Sequence, residues 1–386
     1  MALAGCTEDM EVGAGHEGRM AVRDSMGVLI SENLDSMGGV NWTIRAEPVL
    51  TIGQGFQASR EYQFDWIGGA IRLPDGGILV ADGGSMLRAY RETGGYMATW
   101  GREGEGPGEF RLLGGLDMLG ADSVVVWDRR LQRLTVFDAT GRVGREVTVR
   151  EAPELILRGA IGHDRLVFER VVAFEFDASE FEEILTGRSG GEEYQRQRGA
   201  VELWDATGNR VAVVGPYPHT EYHFPSRAVR FFGPVRFFRK MITGVWDSSV
   251  IAGPNDTYEL RGHGTDGALE RIIRWNRAPT VADDSHRKAF ADENPGRDQD
   301  APMASHLPMF DWVVGDALGY LWVRDYDMPG EELVRWTVFD SAGAIVTRLR
   351  TSDRLRVWEI GQDYILASQT DDLGIHSVVV LSLHRG

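Results

Sequence analysis

The string HTEYH at residues 219–223 places two histidines and a glutamate close together in the sequence. In an extended strand, residues two apart project from the same face, so His219, Glu221 and His223 would point together. Imidazole nitrogens and carboxylate oxygens are ligands of zinc, and carboxylates also bind calcium. The string therefore predicts a divalent-metal site, whereas the prolines on both sides also fit an irregular loop that packs without a metal.

The single cysteine, Cys6, excludes an intramolecular disulfide and a multi-cysteine metal cluster. The sequence LAGC at residues 3–6 resembles the lipobox of bacterial lipoproteins, in which the cysteine sulfur receives a diacylglyceryl group after cleavage. The charged and apolar segments that precede a lipobox are missing, so a chance match is the alternative. We interpret residues 1–26 as a clipped lipoprotein signal and a flexible tether. This predicts an extracytoplasmic protein with a lipid anchor on Cys6, and we expect the outer membrane.

Composition excludes several classes of partner. The net charge of −17 and the pI near 5.0 argue against nucleic acid or an anionic membrane surface as a ligand. No apolar run reaches the roughly 18 residues that a membrane-spanning helix needs, so any attachment is expected to be through the lipid alone. The 48 glycines and 11 tryptophans, with many β-branched residues, favour strands joined by tight turns and an all-β fold.

A repeated unit organises most of the chain. Residues 77–94, 123–141 and 320–343 each contain an alternating strand that ends in aspartate, then a second strand and a glycine turn. Looser copies of the turn occur near residues 203–208 and 258–267. An apolar segment before each unit and a strand after it give four strands. A four-stranded antiparallel unit repeated around a centre is a propeller blade.

These repeats resemble a known family. The segments VADGGSMLRAYRETGG (80–95) and VVWDRRLQRLTVFDATG (125–141) look like NHL-type propeller repeats. The segment GREGEGPGEF (101–110) is similar to the linker of bacterial six-bladed β-propeller lipoproteins of that kind. The resemblance covers residues 27–385 and implies a fold, but it implies no particular activity.

We therefore predict a six-bladed β-propeller of four-stranded antiparallel blades in a single domain, residues 27–386. The blades are expected to begin near residues 64, 112, 155, 231, 309 and 353, with residues 42–52 supplying the missing strand of the last blade. Closure of the ring in this way leaves no open sheet edge. A seventh blade would follow if residues 28–30 belonged to another unit.

Two polar insertions, 179–199 and 282–307, interrupt the repeats, and the second is expected to contain a helix over 285–294. Such insertions usually emerge from one face of a propeller, where they can flank its channel. The tryptophans are expected to pack in blade cores or at strand ends, and only Trp246 and Trp312, which lie near loops, are candidates for exposed stacking.

Three aspartates, Asp82, Asp128 and Asp325, end equivalent strands, and Arg88, Arg133 and Arg335 begin the strands that follow. We expect carboxylate–guanidinium pairs that stabilise each turn. The alternative, which resemblance to propeller lactonases implies, is an acidic ring that binds calcium in the channel.

We assign no catalytic residue and no cofactor apart from a possible calcium or zinc ion. The first functional hypothesis is a monomeric binding module that takes a small molecule or a protein at one rim without catalysis. The alternative is a metal-dependent hydrolase or lyase, similar to propeller lactonases, with its site in the central channel.

Overall fold

The computed structural model describes residues 20–34, 39–53, 59–149, 154–172, 193–224, 233–294, 302–326, 328 and 330–386. Six antiparallel sheets follow one another around a ring, and each packs its apolar faces against the next. The predicted all-β, six-bladed propeller is therefore confirmed.

The strands of the first half run in chain order. Four precede the first blade: β1 (Met20–Ser25), β2 (Val28–Asn33), β3 (Thr43–Ile44) and β4 (Leu50–Ile52). Blade one contains β5 (Ile67–Arg72), β6 (Ile78–Asp82), β7 (Met86–Tyr90) and β8 (Tyr96–Trp100). The linker after it contains β9 (Arg102–Glu103) and β10 (Glu109–Phe110). Blade two contains β11 (Leu113–Leu119), β12 (Ser123–Asp128), β13 (Arg133–Asp138) and β14 (Val143–Thr148). Blade three contains β15 (Leu155–Ile161), β16 (Arg165–Val172), β17 (Glu193–Asp205), β18 (Arg210–Phe224) and β19 (Gly233–Pro234).

The second half follows the same plan. Blade four contains β20 (Met241–Trp246), β21 (Ser249–Pro254), β22 (Glu259–His263) and β23 (Leu269–Trp275). The helix α1 (Asp284–Glu293) lies between blades four and five. Blade five contains β24 (Phe310–Gly315), β25 (Leu321–Asp325), β26 (Leu333–Phe339) and β27 (Ile345–Ser352). Blade six contains β28 (Arg356–Ile360), β29 (Tyr364–Thr370) and β30 (His376–His384). In each blade the first strand is the innermost, and we call the face at which these inner strands begin the upper face.

Blade six is completed from the other end of the chain. Both β3 and β4 pair antiparallel with β30, with Thr43 opposite His384 and Ile52 opposite Val378. The predicted ring closure is confirmed, and it satisfies the edge of a blade that has only three strands of its own.

The hairpin of β1 and β2 was not predicted. Residues 20–25, which we assigned to the tether, form a strand, and β2 runs parallel to β23 on the outside of blade four. Asn33 is 4% exposed, donates to the Gly343 carbonyl at 2.8 Å and accepts from the Ile345 backbone at 3.0 Å. The hairpin thus joins blades four and five, and residues 28–30 form no seventh blade.

The glycine-rich linker, residues 100–110, crosses from blade one to blade two. Phe110 is fully buried, and both Trp100 and Phe110 pack on Phe137, with ring centroids 5.7 and 6.1 Å away. Residues of both blades form one apolar cluster around these rings. Phe110 is therefore a wedge between the two blades.

Gly101 permits the close approach of this wedge. Its φ is +74°, and a Cβ atom there would lie 2.5 Å from Phe110 Cε2 and 2.6 Å from the Gly108 carbonyl oxygen. We expect Gly101→Ala to lower the free energy of unfolding by about 2 kcal/mol, from backbone strain and the clash together. Gly319→Ala is the control, because Gly319 has a φ of +82° and no heavy atom within 4 Å of the added Cβ. If urea denaturation shows the same loss of unfolding free energy in both variants, the clash with Phe110 does not contribute.

The insertion at 282–307 contains the predicted helix, α1, with Asp283 as its N-cap. Phe290 of α1 packs against Phe237 at 5.7 Å, just before β20, and Glu293 accepts from the backbone of Gly330, between β25 and β26. Both contacts place α1 on the upper face. No helix among the described residues is both long and apolar enough to span a bilayer.

The insertion at 179–199 falls largely outside the described residues. Its last part, residues 193–199, forms the beginning of β17. This part pairs with residues 217–224 of β18. The extension of blade three therefore also rises at the upper face.

Candidate functional site

The predicted metal ligands lie on β18, near its upper end. His219 is 7% exposed, and its Nδ1 lies 2.9 Å from Thr220 Oγ1 while its Nε2 lies 3.5 Å from Glu169 Oε1. Glu221 instead accepts from Arg239 Nη2 at 3.1 Å. These two predicted ligands therefore face different neighbours.

A β-bulge in β18 accounts for this divergence. Positions 196 and 198 of β17 lie opposite Glu221 and Pro218, so β18 takes three steps where β17 takes two. The extra residue reverses the alternation of side chains between the two faces. Among the described residues, no three His, Cys, Asp or Glu side chains come together where they could hold a metal ion. The zinc or calcium site at His219, Glu221 and His223 stays a prediction that this geometry does not support.

The predicted aspartate–arginine pairs form in only one of three blades. Arg88 Nη2 lies 2.7 Å from Asp82 Oδ2, as expected. In the other blades the prediction is wrong, since Asp128 accepts the Arg111 backbone N–H at 2.6 Å and Asp325 pairs with Arg277 at 2.7 Å.

The reason lies in the register of these aspartates. Asp82, Asp128 and Asp325 lie opposite the first residue of their own blade's inner strand, so each carboxylate lies beside the linker that enters the blade. Linker donors engage Asp128 and Asp325, whereas Asp82 accepts from the linker backbone at Asp65 and also pairs with Arg88 of β7. With each carboxylate occupied in this way, the three aspartates offer no shared set of calcium ligands.

Charged side chains from four successive blades meet at the upper end of the central channel. Arg158 lies in β15, Lys240 directly precedes β20, Asp311 lies in β24 and Arg356 begins β28. Arg158 and Arg324 are close enough to lower the pKa of both Lys240 and Arg356 through charge repulsion. We call the following six residues the channel-mouth cluster: Arg158, Glu169, Lys240, Asp311, Arg324 and Arg356.

Backbone irregularities aim these side chains. The pairing register shifts between Leu157 and Gly159 in β15, and between Phe310 and Trp312 in β24. The one residue between each of these pairs has no partner on the neighbouring strand. Those residues are Arg158 and Asp311, and a bulge of this kind redirects a side chain. Lys240 is held differently, because its backbone N–H donates to Asn255 Oδ1 at 2.8 Å.

Two pairs within the cluster neutralise each other. Arg158 donates to Glu169 through Nε at 3.1 Å and Nη2 at 3.0 Å, and Arg324 donates to Asp311 through Nε at 2.7 Å and Nη2 at 2.9 Å. Burial alone would raise the pKa of Glu169, but His219 and Arg158 together lower it to about 2. Glu169 is therefore committed as an anion, and a bidentate guanidinium engages each of the two carboxylates.

Lys240 and Arg356 remain as additional cations. Neither lies within ion-pair distance of a carboxylate in the described part of the chain. Burial lowers the pKa of each, and the neighbouring guanidinium groups lower it further, while Asp311 and Glu169 act in the opposite direction on Lys240. Four basic residues against two carboxylates give the cluster a formal net charge of +2, in a chain whose formal net charge is −17.

A cavity of about 290 Å³ opens among these residues, and Lys240, Asp311, Trp312, Arg324 and Arg356 contribute to its wall. The Arg356 guanidinium carbon lies 4.2 Å from the Trp358 ring centroid and 5.9 Å from that of Trp312. Of the two tryptophans that were candidates for exposure, Trp312 is half-buried at this wall and Trp246 is 3% exposed. The cavity thus combines cationic and aromatic groups.

Deeper in the channel the charge changes sign. Asp117 of β11 accepts the backbone N–H groups of Met118 and Ala160, both at 2.7 Å. Burial raises its pKa to about 6, and the charge of Glu359 contributes to this against the two hydrogen bonds. Burial also raises the pKa of Glu359, although Tyr364 and the Arg72 backbone donate to it. The channel is therefore cationic at its mouth and carboxylic below.

We expect the Asp117 carboxyl to titrate near pH 6 in the folded protein, because its pKa is raised from 3.8 to about 6. A raised pKa means that the folded state holds this proton more tightly, so the associated stability is lost as pH rises through about 6. Carbon-13 NMR of aspartate-labelled protein would measure it, with Asp117→Asn identifying the signal. A titration midpoint near pH 4 would show that burial does not raise the pKa of Asp117.

Sequence reasoning missed the channel-mouth cluster. Its members lie between positions 158 and 356, and none belongs to a short motif. The available signal was positional, since Lys240, Asp311 and Arg356 all lie within two residues of the start of an inner strand. In a propeller these positions converge at the channel mouth.

Two further sequence features lie outside the described residues. One is Cys6, the predicted lipid anchor. The other is the string GRSGG at residues 187–191, which has the Gly-x-Ser-x-Gly spacing of a hydrolase nucleophile. That motif acts at a tight strand-to-helix turn, so spacing alone gives Ser189 no role.

No described protein family and no curated protein matches the chain. Solved structures match over most of its length. A member of the DUF4221 family from Bacteroides vulgatus has a TM-score of 0.52 and 9% identity, covering 89% of this chain and 99% of that one. A putative exported protein from Bacteroides fragilis has a TM-score of 0.47 and 10% identity, covering 92% and 98%.

A third similar structure is the virginiamycin B lyase of Staphylococcus aureus, with a TM-score of 0.41 and 7% identity over 89% of this chain and 99% of that one. Identities this low reflect fold and carry no activity across. What this chain has in common with the Bacteroides vulgatus protein is therefore its fold.

Proposed function

We propose that the protein is an extracytoplasmic binding module of the bacterial six-bladed, NHL-repeat-like lipoprotein type, which binds a ligand at its upper face without catalysis. The observation that carries the proposal is the cavity at the channel mouth, where cationic and aromatic side chains from several blades line one concave site. Concave sites with a few convergent polar groups are the usual ligand sites of proteins.

The architecture of the upper face supports the same proposal. Helix α1 and the extension of β17 and β18 both rise on this face, and each interrupts an otherwise regular blade. Residues added to a rigid scaffold at one face are where binding function usually resides. The ligand is a small molecule or a segment of a protein that enters the mouth.

Hydrogen–deuterium exchange tests this function. Wild-type protein would be incubated with a panel of anionic, neutral and cationic small molecules and with soluble periplasmic extract fractions below about 1 kDa. This cutoff retains the drug-sized ligands that a site of a few hundred Å³ accepts. We expect at least one compound or fraction to slow exchange in residues 310–313 and 356–359. If protection arises only in other blades, or nowhere, the binding proposal fails.

The lipid anchor is a separate part of the proposal and rests on LAGC at residues 3–6. Mass spectrometry of protein extracted from membranes of the native host should find a diacylglyceryl modification on Cys6. An unmodified Cys6 in protein expressed with its complete upstream region would remove the anchor and leave the binding site untouched.

The competing hypothesis, a metal-dependent hydrolase or lyase, has weaker support because His219 and Glu221 are engaged by different neighbours. Metal analysis after exhaustive dialysis, with and without a chelator, separates the two. We expect less than 0.1 ion per chain, an order-of-magnitude criterion for the absence of a tight site. One zinc or calcium ion per chain, together with turnover of a lactone or ester, would overturn the non-catalytic proposal.

A further inference from the structure

The channel-mouth cluster holds more positive charge than its own carboxylates satisfy. The bidentate pairs consume the Nε and Nη2 donors of Arg158 and Arg324. The Nη1 group of each guanidinium makes no hydrogen bond to a described residue. With the Lys240 ammonium and the Arg356 guanidinium, these groups form a set of uncommitted donors at one mouth.

The donors are held in place before any ligand arrives. Glu169 and Asp311 fix the planes of Arg158 and Arg324 through two hydrogen bonds each, and Arg356 stacks on Trp358. A guanidinium that is already oriented loses little freedom when it binds an anion. The site is therefore preorganised for a group that accepts several hydrogen bonds.

The charge balance favours an anionic ligand over a cationic one. Asp353 and Arg354 also line the cavity, and because Arg354 pairs with Asp372 at 2.6 Å, the Asp353 carboxylate offsets one of the two excess positive charges. Trp312 adds an indole N–H that has no acceptor among the described residues. A negatively charged ligand would relieve the repulsion between the four cations, which lie in a partly desolvated site.

We propose that the channel mouth binds the oxyanion of a small ligand, a carboxylate, sulfate or phosphate group, between Lys240 and Arg356. The inference rests on the proposed binding function and names the chemistry of its ligand. The oxyanion accepts from Lys240 Nζ and from the Arg356 guanidinium, and the Nη1 groups of Arg158 and Arg324 complete its surroundings. Uncharged parts of the ligand lie against Trp312 in the cavity.

Isothermal titration calorimetry tests the proposal with sodium sulfate, sodium phosphate and sodium glucuronate, at constant ionic strength set with sodium chloride. Glucose serves as the uncharged counterpart of glucuronate. We expect at least one of the three oxyanions to bind with one site per chain and a Kd below about 1 mM, and glucose not to bind. The three salts distinguish a carboxylate ligand from a sulfated or phosphorylated one.

Lys240→Gln and Arg356→Gln should each weaken the binding about tenfold or more, since each removes a charge-assisted donor. Arg165→Gln is the matched control, because Arg165 lies at the opposite end of blade three and pairs with its neighbour Asp164. It should bind like the wild type. Without ligand, neither Lys240→Gln nor Arg356→Gln should lower Tm, because each removes repulsion from the cluster.

Three results would overturn the proposal. The first is no binding of any oxyanion at 10 mM, about ten times the expected upper limit of Kd. The second is unchanged affinity in both cluster variants, and the third is an equal loss of affinity in Arg165→Gln. The exchange experiment then shows which proposal failed. If a neutral or cationic compound protects residues 310–313 and 356–359, the binding function stands and the anion assignment is wrong. If no compound protects them, both proposals fail.

Discussion

Replacing Glu169 with glutamine should lower the free energy of unfolding by about 3 kcal/mol. The Glu169 side chain is 5% exposed and accepts two hydrogen bonds from Arg158, with His219 3.5 Å away. Its removal leaves a guanidinium without its counterion in a site that already contains other cations. Urea denaturation followed by tryptophan fluorescence would measure the loss.

The pH dependence gives an independent readout of the same carboxylate. The pKa of Glu169 is about 2 in the folded protein against an ordinary value of 4.5. A lowered pKa stabilises the folded state above pH 4.5, and this stabilisation of about 3 kcal/mol is lost as pH falls from 4.5 through 2. Glu169→Gln should therefore lose less stability than the wild type over that range. If both proteins lose the same free energy of unfolding between pH 4.5 and 2, Glu169 is not the carboxylate that stabilises the folded state there.

Glu103→Gln is the control for this charge change. Glu103 pairs with Arg111 at 3.3 Å, but its side chain is 73% exposed. Exposed pairs of this kind contribute less than about 1 kcal/mol. A similar destabilisation in both variants would mean that burial does not decide the effect.

Replacing Phe110 with alanine should cost about 4 kcal/mol, the largest effect that we expect from a single substitution. Phe110 is fully buried between blades one and two and packs on Phe137. Rigid strands on both sides limit how far the cavity can collapse. Urea denaturation would measure the loss, and exchange in β8 and β11 should increase because the wedge joins these blades.

Leu112→Ala provides the comparison two residues later. Leu112 is 40% exposed, so its truncation should cost less than about 1 kcal/mol. Equal destabilisation by the two substitutions would show that the linker tolerates changes uniformly and that Phe110 does not act as a wedge.

The fold could be predicted because its evidence is local and repeated. Each blade places a short alternating strand, an aspartate and a glycine turn within about 20 residues, so similarity between copies shows the architecture. Closure by β3 and β4 also followed, since blade six has one strand too few. The hairpin of β1 and β2 could not be predicted in this way. It belongs to no repeat, and its place outside blade four depends on Asn33 bonding to residues more than 300 positions away.

The site was less predictable because its residues are distant in the sequence. The string at 219–223 suggested a metal site because its candidate ligands are close together in the sequence. One extra residue in β18 changes the alternation of side chains, so His219 and Glu221 do not project from the same face. In contrast, Lys240 and Arg356 are 116 positions apart and carry no motif. They meet because the inner strands of all six blades begin at the same end of the channel.

The sequence alone therefore determined the all-β class, the six blades and the closure of the ring, since hydrophobic alternation and turn residues act within each repeat. It also determined the overall acidity, which excludes polyanions as general partners. Only the tertiary structure decided where positive charge gathers within that acidic chain. That choice depends on the direction of single side chains. Bulges in β15 and β24 direct Arg158 and Asp311, and a hydrogen bond from the Lys240 backbone N–H to Asn255 holds Lys240 in place.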